Sequence, residues 1–292
     1  MAAMDLPASD SRAVRVEHPA GPAVPLVFAS PHSGSDYPAA FVAAARLDPL
    51  RLRQSEDCYV DELFAAAPVH GATLVAANFP RAFCDANREP WELDPAMFED
   101  ALPDWVNTAS ARVGAGLGTI ARVVATGEPI YRAKLCFAEA EARVATTWQP
   151  FHAALRDAVE ETRLRFGACL LVDCHSMPEA SMLPRRRADI VLGDAHGTTC
   201  DPALVRLVEE ALLAEGFSVR RNDPYAGGYI TRHYGRPRER VHALQIEVNR
   251  ALYMDETTLN RGPWFDATRA RLTRLVAHLA GCAAAALGIR AR

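Results

Sequence analysis

Two histidines in this 292-residue chain each stand where an apolar run stops. Leu170–Pro178 reads LLVDCHSMP, and its hydrophobic residues end in Asp173-Cys174-His175-Ser176. Pro25–Gly34, PLVFASPHSG, repeats the design and stops at His32, with Gly34 permitting a tight bend. A short apolar run of this kind predicts a buried parallel strand, and open α/β sheets bind ligands beyond the carboxyl ends of their strands. Imidazole is a good zinc ligand, and two histidines plus one carboxylate leave the fourth position of a catalytic zinc open for water. A single histidine would more simply be explained by local hydrogen bonds. Two at strand ends, each followed by serine, favour a shared site.

The carboxylate comes from Glu56, Asp57 or Asp61. Leu47–Ala67 has a helical pattern, with Ser55 as N-cap and Glu56 and Asp57 in the first turn, where negative charge suits the helix dipole. Asp57 and Asp61 share a helix face and Glu56 faces elsewhere. Asp57 is therefore favoured as the ligand, Glu56 is the alternative, and Asp61 is placed to orient a ligand. A capped, solvated helix start would account for the same residues. Glu247 lies inside the apolar strand VHALQIEV (Val241–Val248), where an unpaired charge is costly. A general base beside an activated water meets that requirement. The plain alternative is strand alternation that turns Gln245 and Glu247 to a wetter face.

Arg81, Asp85, Asn87 and Arg88 fall within one dense polar loop. An arginine fork binds a carboxylate bidentately and asparagine adds directional hydrogen bonds, so the loop suits a carboxylate substrate, unless its charges merely pair with one another. Ala226–Gly235 is glycine-rich with the composition of a mobile loop, and Arg232 and His233 in it would add substrate contacts or a lid.

The elements that must position these residues alternate. Strands are expected at Leu26–Ser30, Gly71–Phe79, Ala168–His175, Ala188–Leu192, Ser218–Arg221 and Val241–Val248. Helices are expected over Phe137–Phe166, interrupted at Pro150, from about Pro202 to Glu215, and over Arg261–Leu287. Residues 91–135 read as irregular, with helical pieces around Ser110–Ala125. The alternation predicts an α/β fold, a mostly parallel mixed sheet with helices on both faces. Residues 1–22 read as a flexible N-terminal arm and 23–292 as a single domain. The net charge of −4 is evenly mixed, so neither nucleic acid nor an acidic or basic tail is indicated. No apolar run reaches membrane length and the N-terminus lacks the pattern of a signal peptide. Seven scattered cysteines without a CxxC argue against a disulfide framework or a zinc finger. The expectation is a cytoplasmic protein with a small-molecule substrate, compatible with homo-oligomers. Ser176 lacks a GxSxG elbow, which disfavours a serine hydrolase.

PHSG at 31–34, EDCYVDEL at 56–63, PRAFCDANR at 80–88, DCHSM at 173–177 and GGYITRHYGRP…HALQIEVNRALYMDE at 227–256 occur in this order. Together they resemble the N-formylglutamate amidohydrolases, over about residues 25–260. That family is similar to the zinc carboxypeptidases and aspartoacylases, so the resemblance implies their phosphorylase/hydrolase-like, zinc carboxypeptidase-like α/β fold. It implies one Zn²⁺ per chain on His32, Asp57 (or Glu56) and His175, with Arg81 near the metal, Asn87-Arg88 for the substrate carboxylate and Glu247 as base. The DANR tetrapeptide is similar to the aspartoacylase DxNR motif. The chain departs where those relatives keep the acidic ligand three residues after the first histidine. Position 35 is Ser35, so the acid is Asp36 or belongs to the 56–61 cluster. The implied activity is hydrolysis of N-formyl-L-glutamate to formate and glutamate. Its rivals are deacylation of another small N-acyl amino acid or peptide, and non-catalytic binding of a small carboxylate ligand.

Overall fold

A computed structural model describes residues 13–289. The strands are β1 (Val14–Glu17), β2 (Leu26–Ser30), β3 (Thr73–Ala77), β4 (Cys169–Met177), β5 (Ile190–Gly193), β6 (Val219–Arg221) and β7 (Val241–Asn249). They form one seven-stranded sheet in the order β1-β3-β2-β4-β7-β5-β6. β3, β2, β4 and β7 run parallel, as do β5 and β6, while β1 and β5 join their neighbours β3 and β7 antiparallel. The fold is α/β with a mixed, mostly parallel sheet.

The helices are α1 (Ala39–Ala44), α2 (Pro49–Leu52), α3 (Val60–Leu63), α4 (Ala111–Gly114), α5 (Phe137–Arg143), α6 (Gln149–Phe166), α7 (Pro202–Ala214), α8 (Tyr229–Tyr234) and α9 (Phe265–Ala286). Side chains alternate across the sheet, so each strand feeds two cores. Phe28, Leu74, Val172 and Ile246 pack toward α3, α7 and α9. Val27, Val75, Leu171 and Ala243 pack toward α6 through Phe151, Leu155 and Val159. Helices therefore cover both faces. Asp173 and His175 on β4, and Gln245 and Glu247 on β7, continue the second face, opposite each other in register. Among the described residues no helix is long and apolar enough to cross a membrane.

Several expectations change. Val14–Glu17, assigned to a loose arm, pairs with Leu74–Ala77 as an edge strand; residues 1–12 of that arm lie outside the described residues. The Leu47–Ala67 helix is broken. Glu56 is extended, and Tyr59 adopts a left-handed φ of 65°, its hydroxyl donating to the Leu259 carbonyl at 3.0 Å. Ser55 does not cap a helix there, because its Oγ accepts from the Ala125 N–H at 2.9 Å. β4 runs two residues beyond His175, since its ladder with β7 continues to Met177 and Asn249. Between α5 and α6 the chain makes a π-helical turn, Val144–Trp148, ahead of Pro150. Much of the glycine-rich 226–235 segment is helix α8 rather than loop.

Candidate active site

The polar ends of β2, β4 and β7 meet in a cavity of about 320 Å³. His32 follows β2 through the turn that Gly34 permits. A Cβ at Gly34 would come within 2.4 Å of the Phe79 carbonyl oxygen, so the turn needs glycine for room. Asp57 is tied to His32 by its own N–H, which donates to the His32 carbonyl at 3.0 Å. The Asp57 Oδ2 then lies 3.0 Å from His175 Nδ1 and 3.3 Å from His32 Nδ1. One ligand atom from each of the three falls within 4.8 Å of the others, all buried.

Each histidine is oriented from behind. His32 Nε2 lies 2.7 Å from Asp85 Oδ1, and His175 Nε2 lies 2.9 Å from Asp173 Oδ1. A carboxylate at Nε2 holds a proton there and turns Nδ1 inward. Asp57 is held similarly. Its Oδ1 accepts from Arg250 Nη2 at 3.0 Å and from Ser176 Oγ at 3.3 Å, leaving Oδ2 for the centre. Burial opposes ionisation of Asp57, yet His175 and His32 hold its pKa well below the usual range. Burial likewise disfavours a charged His175, but Asp173 and Asp57 raise its pKa well above the ordinary value. Among the described residues, His32 Nδ1 is buried without a hydrogen-bond partner. Tetrahedral zinc with bonds of about 2.0–2.1 Å sets ligand atoms roughly 3.3 Å apart. The two distances to Asp57 Oδ2, the orphaned nitrogen and the oxygen-nitrogen donor set fit such an ion.

Glu247 faces the same cavity from β7, beside His175 in register. Gln245 Nε2 donates to its Oε1 at 2.7 Å, and Oε2 is buried without a partner. Burial pushes its pKa up to about 7, against the pull of His175 and with the help of Asp57. Gln245 is itself held, its Oε1 accepting from the Gly228 N–H at 2.9 Å.

The 80–88 loop forms the adjoining wall. Arg81 Nη2 donates to Asp85 Oδ2 at 2.8 Å. Burial opposes the Asp85 charge, but Arg81 and Arg88 keep its pKa well below the usual range. Arg88 is fixed by two carbonyls, Nε donating to Leu117 and Nη1 to Asn87, each at 2.8 Å. Asn87 lines the cavity: its Oδ1 accepts from the Ile230 N–H at 2.8 Å, and its Nδ2 lies 3.1 Å from His175 Nε2. Gly228 packs against it, where a Cβ would fall 2.3 Å from Nδ2. Three side chains from α5, the π turn and α6 support the loop through its carbonyls. Arg143 Nη1 donates to Phe83 at 3.2 Å, His152 Nε2 to Ala86 at 2.8 Å and Trp148 Nε1 to Arg88 at 3.0 Å.

The structure brings together His32, Asp57, His175, Glu247, Arg81, Asn87 and Arg88. It separates the others. Glu56 points away, paired with Arg53 at 3.1 Å and accepting from Cys58 Sγ at 3.2 Å, so it is no alternative ligand. Asp36 is exposed. Asp61 ion-pairs with Arg15 at 2.7 Å and orients no ligand, because the helix that would have aligned it with Asp57 is broken. Arg232 and His233 are exposed on α8 and do not line the cavity; His233 stacks on Tyr229. Sequence reasoning passed over Arg250, Asp173 and Asp85 as supports. Asp173 carried a signal, since residues i and i+2 of a strand share a face, which sets it beside His175.

A buried pair of histidines and a carboxylate, with a second carboxyl beside them at the strand ends of an α/β sheet, defines a hydrolase-type site with a candidate metal centre. Residues 24–254 match the N-formylglutamate amidohydrolase family. An N-formylglutamate deformylase of Pseudomonas aeruginosa is 33% identical over 264 residues, covering 88% of this chain and 92% of that protein. One from Pseudomonas putida is 32% identical over 241 residues, covering 80% and 83%. The crystal structure of an N-formylglutamate amidohydrolase from Ralstonia eutropha superposes with a TM-score of 0.88 at 43% identity, covering 93% of this chain and 98% of that one. The chain belongs to the N-formylglutamate amidohydrolase family and is a hydrolase acting on an amide.

Proposed function

We propose that the protein hydrolyses N-formyl-L-glutamate to formate and L-glutamate, with one zinc ion held by His32 Nδ1, Asp57 Oδ2 and His175 Nδ1. The observation that carries this reading is the convergence of those three atoms in the same cavity as the unpartnered Oε2 of Glu247. The names of the Pseudomonas and Ralstonia relatives supply the substrate. When bound, such an ion polarises a carbonyl and acidifies water.

The chain's own groups do the rest. Glu247 Oε2 takes a proton from the attacking water and delivers it to the departing amide nitrogen, while Gln245 holds Oε1. A carboxyl with a pKa near neutrality suits both directions of that transfer. Arg81, with Nη2 tied to Asp85, faces the developing oxyanion with its remaining donors, an interaction of several kcal/mol in a water-poor site. Arg88 binds the α-carboxylate, and Asn87 keeps the loop and His175 in register.

The test is zinc by elemental analysis on the purified protein and on His175→Ala, with formate release from N-formyl-L-glutamate assayed on the same samples. About one zinc per chain, lost together with activity in the variant, is expected. Zinc without formate release would move the question to the acyl group. Neither zinc nor activity would leave a carboxylate-binding protein as the better reading.

A further inference from the structure

One arginine of the cavity stands apart from the others. Arg112, on α4, lines the same space as Arg81 and Arg88, and among the described residues its guanidinium makes no hydrogen bond or ion pair. The other arginines there each hold protein groups with part of their donors. Arg81 holds Asp85, Arg88 holds the Leu117 and Asn87 carbonyls, and Arg250 holds Asp57 and the Glu56 carbonyl. On this wall Arg81 and Arg88 both pair with one carboxylate, Asp85, which leaves none for Arg112. Burial lowers the pKa of Arg88, and the neighbouring Arg81 and Arg112 lower it further, as expected of cations gathered without enough counter-charge.

The placement of Arg112 is set by its backbone. Ser110 caps α4, its Oγ accepting from the Val113 N–H at 3.1 Å. The Leu117 N–H donates to the Arg112 carbonyl at 2.8 Å, and the Leu117 carbonyl in turn accepts from Arg88 Nε at 2.8 Å. A single residue thus spaces the two arginines. An arginine fork matches a carboxylate geometrically, and two forks at a fixed separation match two carboxylates on one small molecule.

We propose that Arg112 selects the substrate as a dicarboxylate, taking the side-chain carboxylate while Arg88 takes the α-carboxylate. This rests on the N-acyl amino acid hydrolysis argued above. It gives Arg112 a substrate contact of the kind expected of Arg232, which does not line the cavity.

The experiment compares wild type, Arg112→Gln and Arg112→Lys, zinc-loaded, on N-formyl-L-glutamate and N-formyl-L-glutamine. Glutarate binding is measured on the same proteins by titration calorimetry, and thermal melts confirm folding. In Arg112→Gln the glutamate-to-glutamine ratio of kcat/KM falls by about tenfold or more, mainly through KM, as loss of one charge-assisted contact requires. Glutarate binding weakens in parallel, and Arg112→Lys retains part of both. An unchanged ratio or unchanged glutarate affinity in Arg112→Gln overturns the proposal. If wild type releases formate from neither compound, the proposed reaction fails and glutarate alone decides. Weaker binding by Arg112→Gln then sustains the role of Arg112, whereas equal or absent binding overturns it.

Discussion

The two walls of the cavity are built on different terms. The inner wall comes from β2, β4 and β7, and its polar side chains are buried, most of them at 6% exposure or less. Each of the four central side chains there is aimed by a second group: Asp85 behind His32, Asp173 behind His175, Arg250 behind Asp57, Gln245 behind Glu247. The outer wall comes from irregular chain between β3 and α5, and it ends in Arg112, exposed and, among the described residues, unpaired. Fixed geometry on the strands serves bond breaking, which tolerates errors of only about 0.5 Å. An open cation on a loop serves choice of substrate, which needs charge more than position.

That contrast breaks most readily at Glu247. Glu247→Gln is expected to lower kcat by about 10²–10⁴ while zinc stays bound, measured by formate release and elemental analysis on one sample. Wild-type turnover in that variant would remove Glu247 from the role of base. Asp85→Asn tests the support of a ligand rather than the ligand. Loss of the carboxylate behind His32 should weaken zinc affinity by about 10–100-fold, read by competition with a chelator.

The smallest effect is expected from His152→Phe, which reaches the inner wall only through the loop. It leaves the Ala86 carbonyl unpaired and should cost about 1–3 kcal/mol in urea unfolding at neutral pH. Burial pulls the His152 pKa down from 6.5 to about 4. The unfolded chain therefore binds the extra proton first, and the stability due to neutral His152 is present above about 6.5 and is lost as pH falls toward 4. The gap between wild type and His152→Phe should narrow over that window. A gap independent of pH would mean that His152 does not stay neutral in the fold.

Much of the inner wall could be read from sequence because strands write their faces in alternate residues. LLVDCHSMP and VHALQIEV each show apolar residues giving way to polar ones on a single face, and Asp173, His175, Gln245 and Glu247 follow from that rule. Asp57 is favoured over Glu56 for a partly mistaken reason. The helix expected to align it with Asp61 is interrupted at Tyr59, and a backbone bond to His32 places it instead. Arg112 was illegible, because residues 91–135 have no period and long-range bonds through Leu117 and Glu92 decide where they lie. Arg232 and His233 misled for the opposite reason: Gly227-Gly228 suggested a loose loop, while Asn87 and Gln245 pin that turn and α8 directs both side chains outward.

The π turn at Val144–Trp148 makes the helix before β4 a ruler for a site it does not enter. Arg143 grips the loop before that turn, and Trp148 and His152 grip it at the turn's end and beyond. Each residue of an α-helix advances the side chains by about 100°. Deleting one residue of the turn would give a more regular helix and swing two of three grips off their carbonyls, with every catalytic side chain intact. In this segment residue count therefore matters to the site as much as residue type.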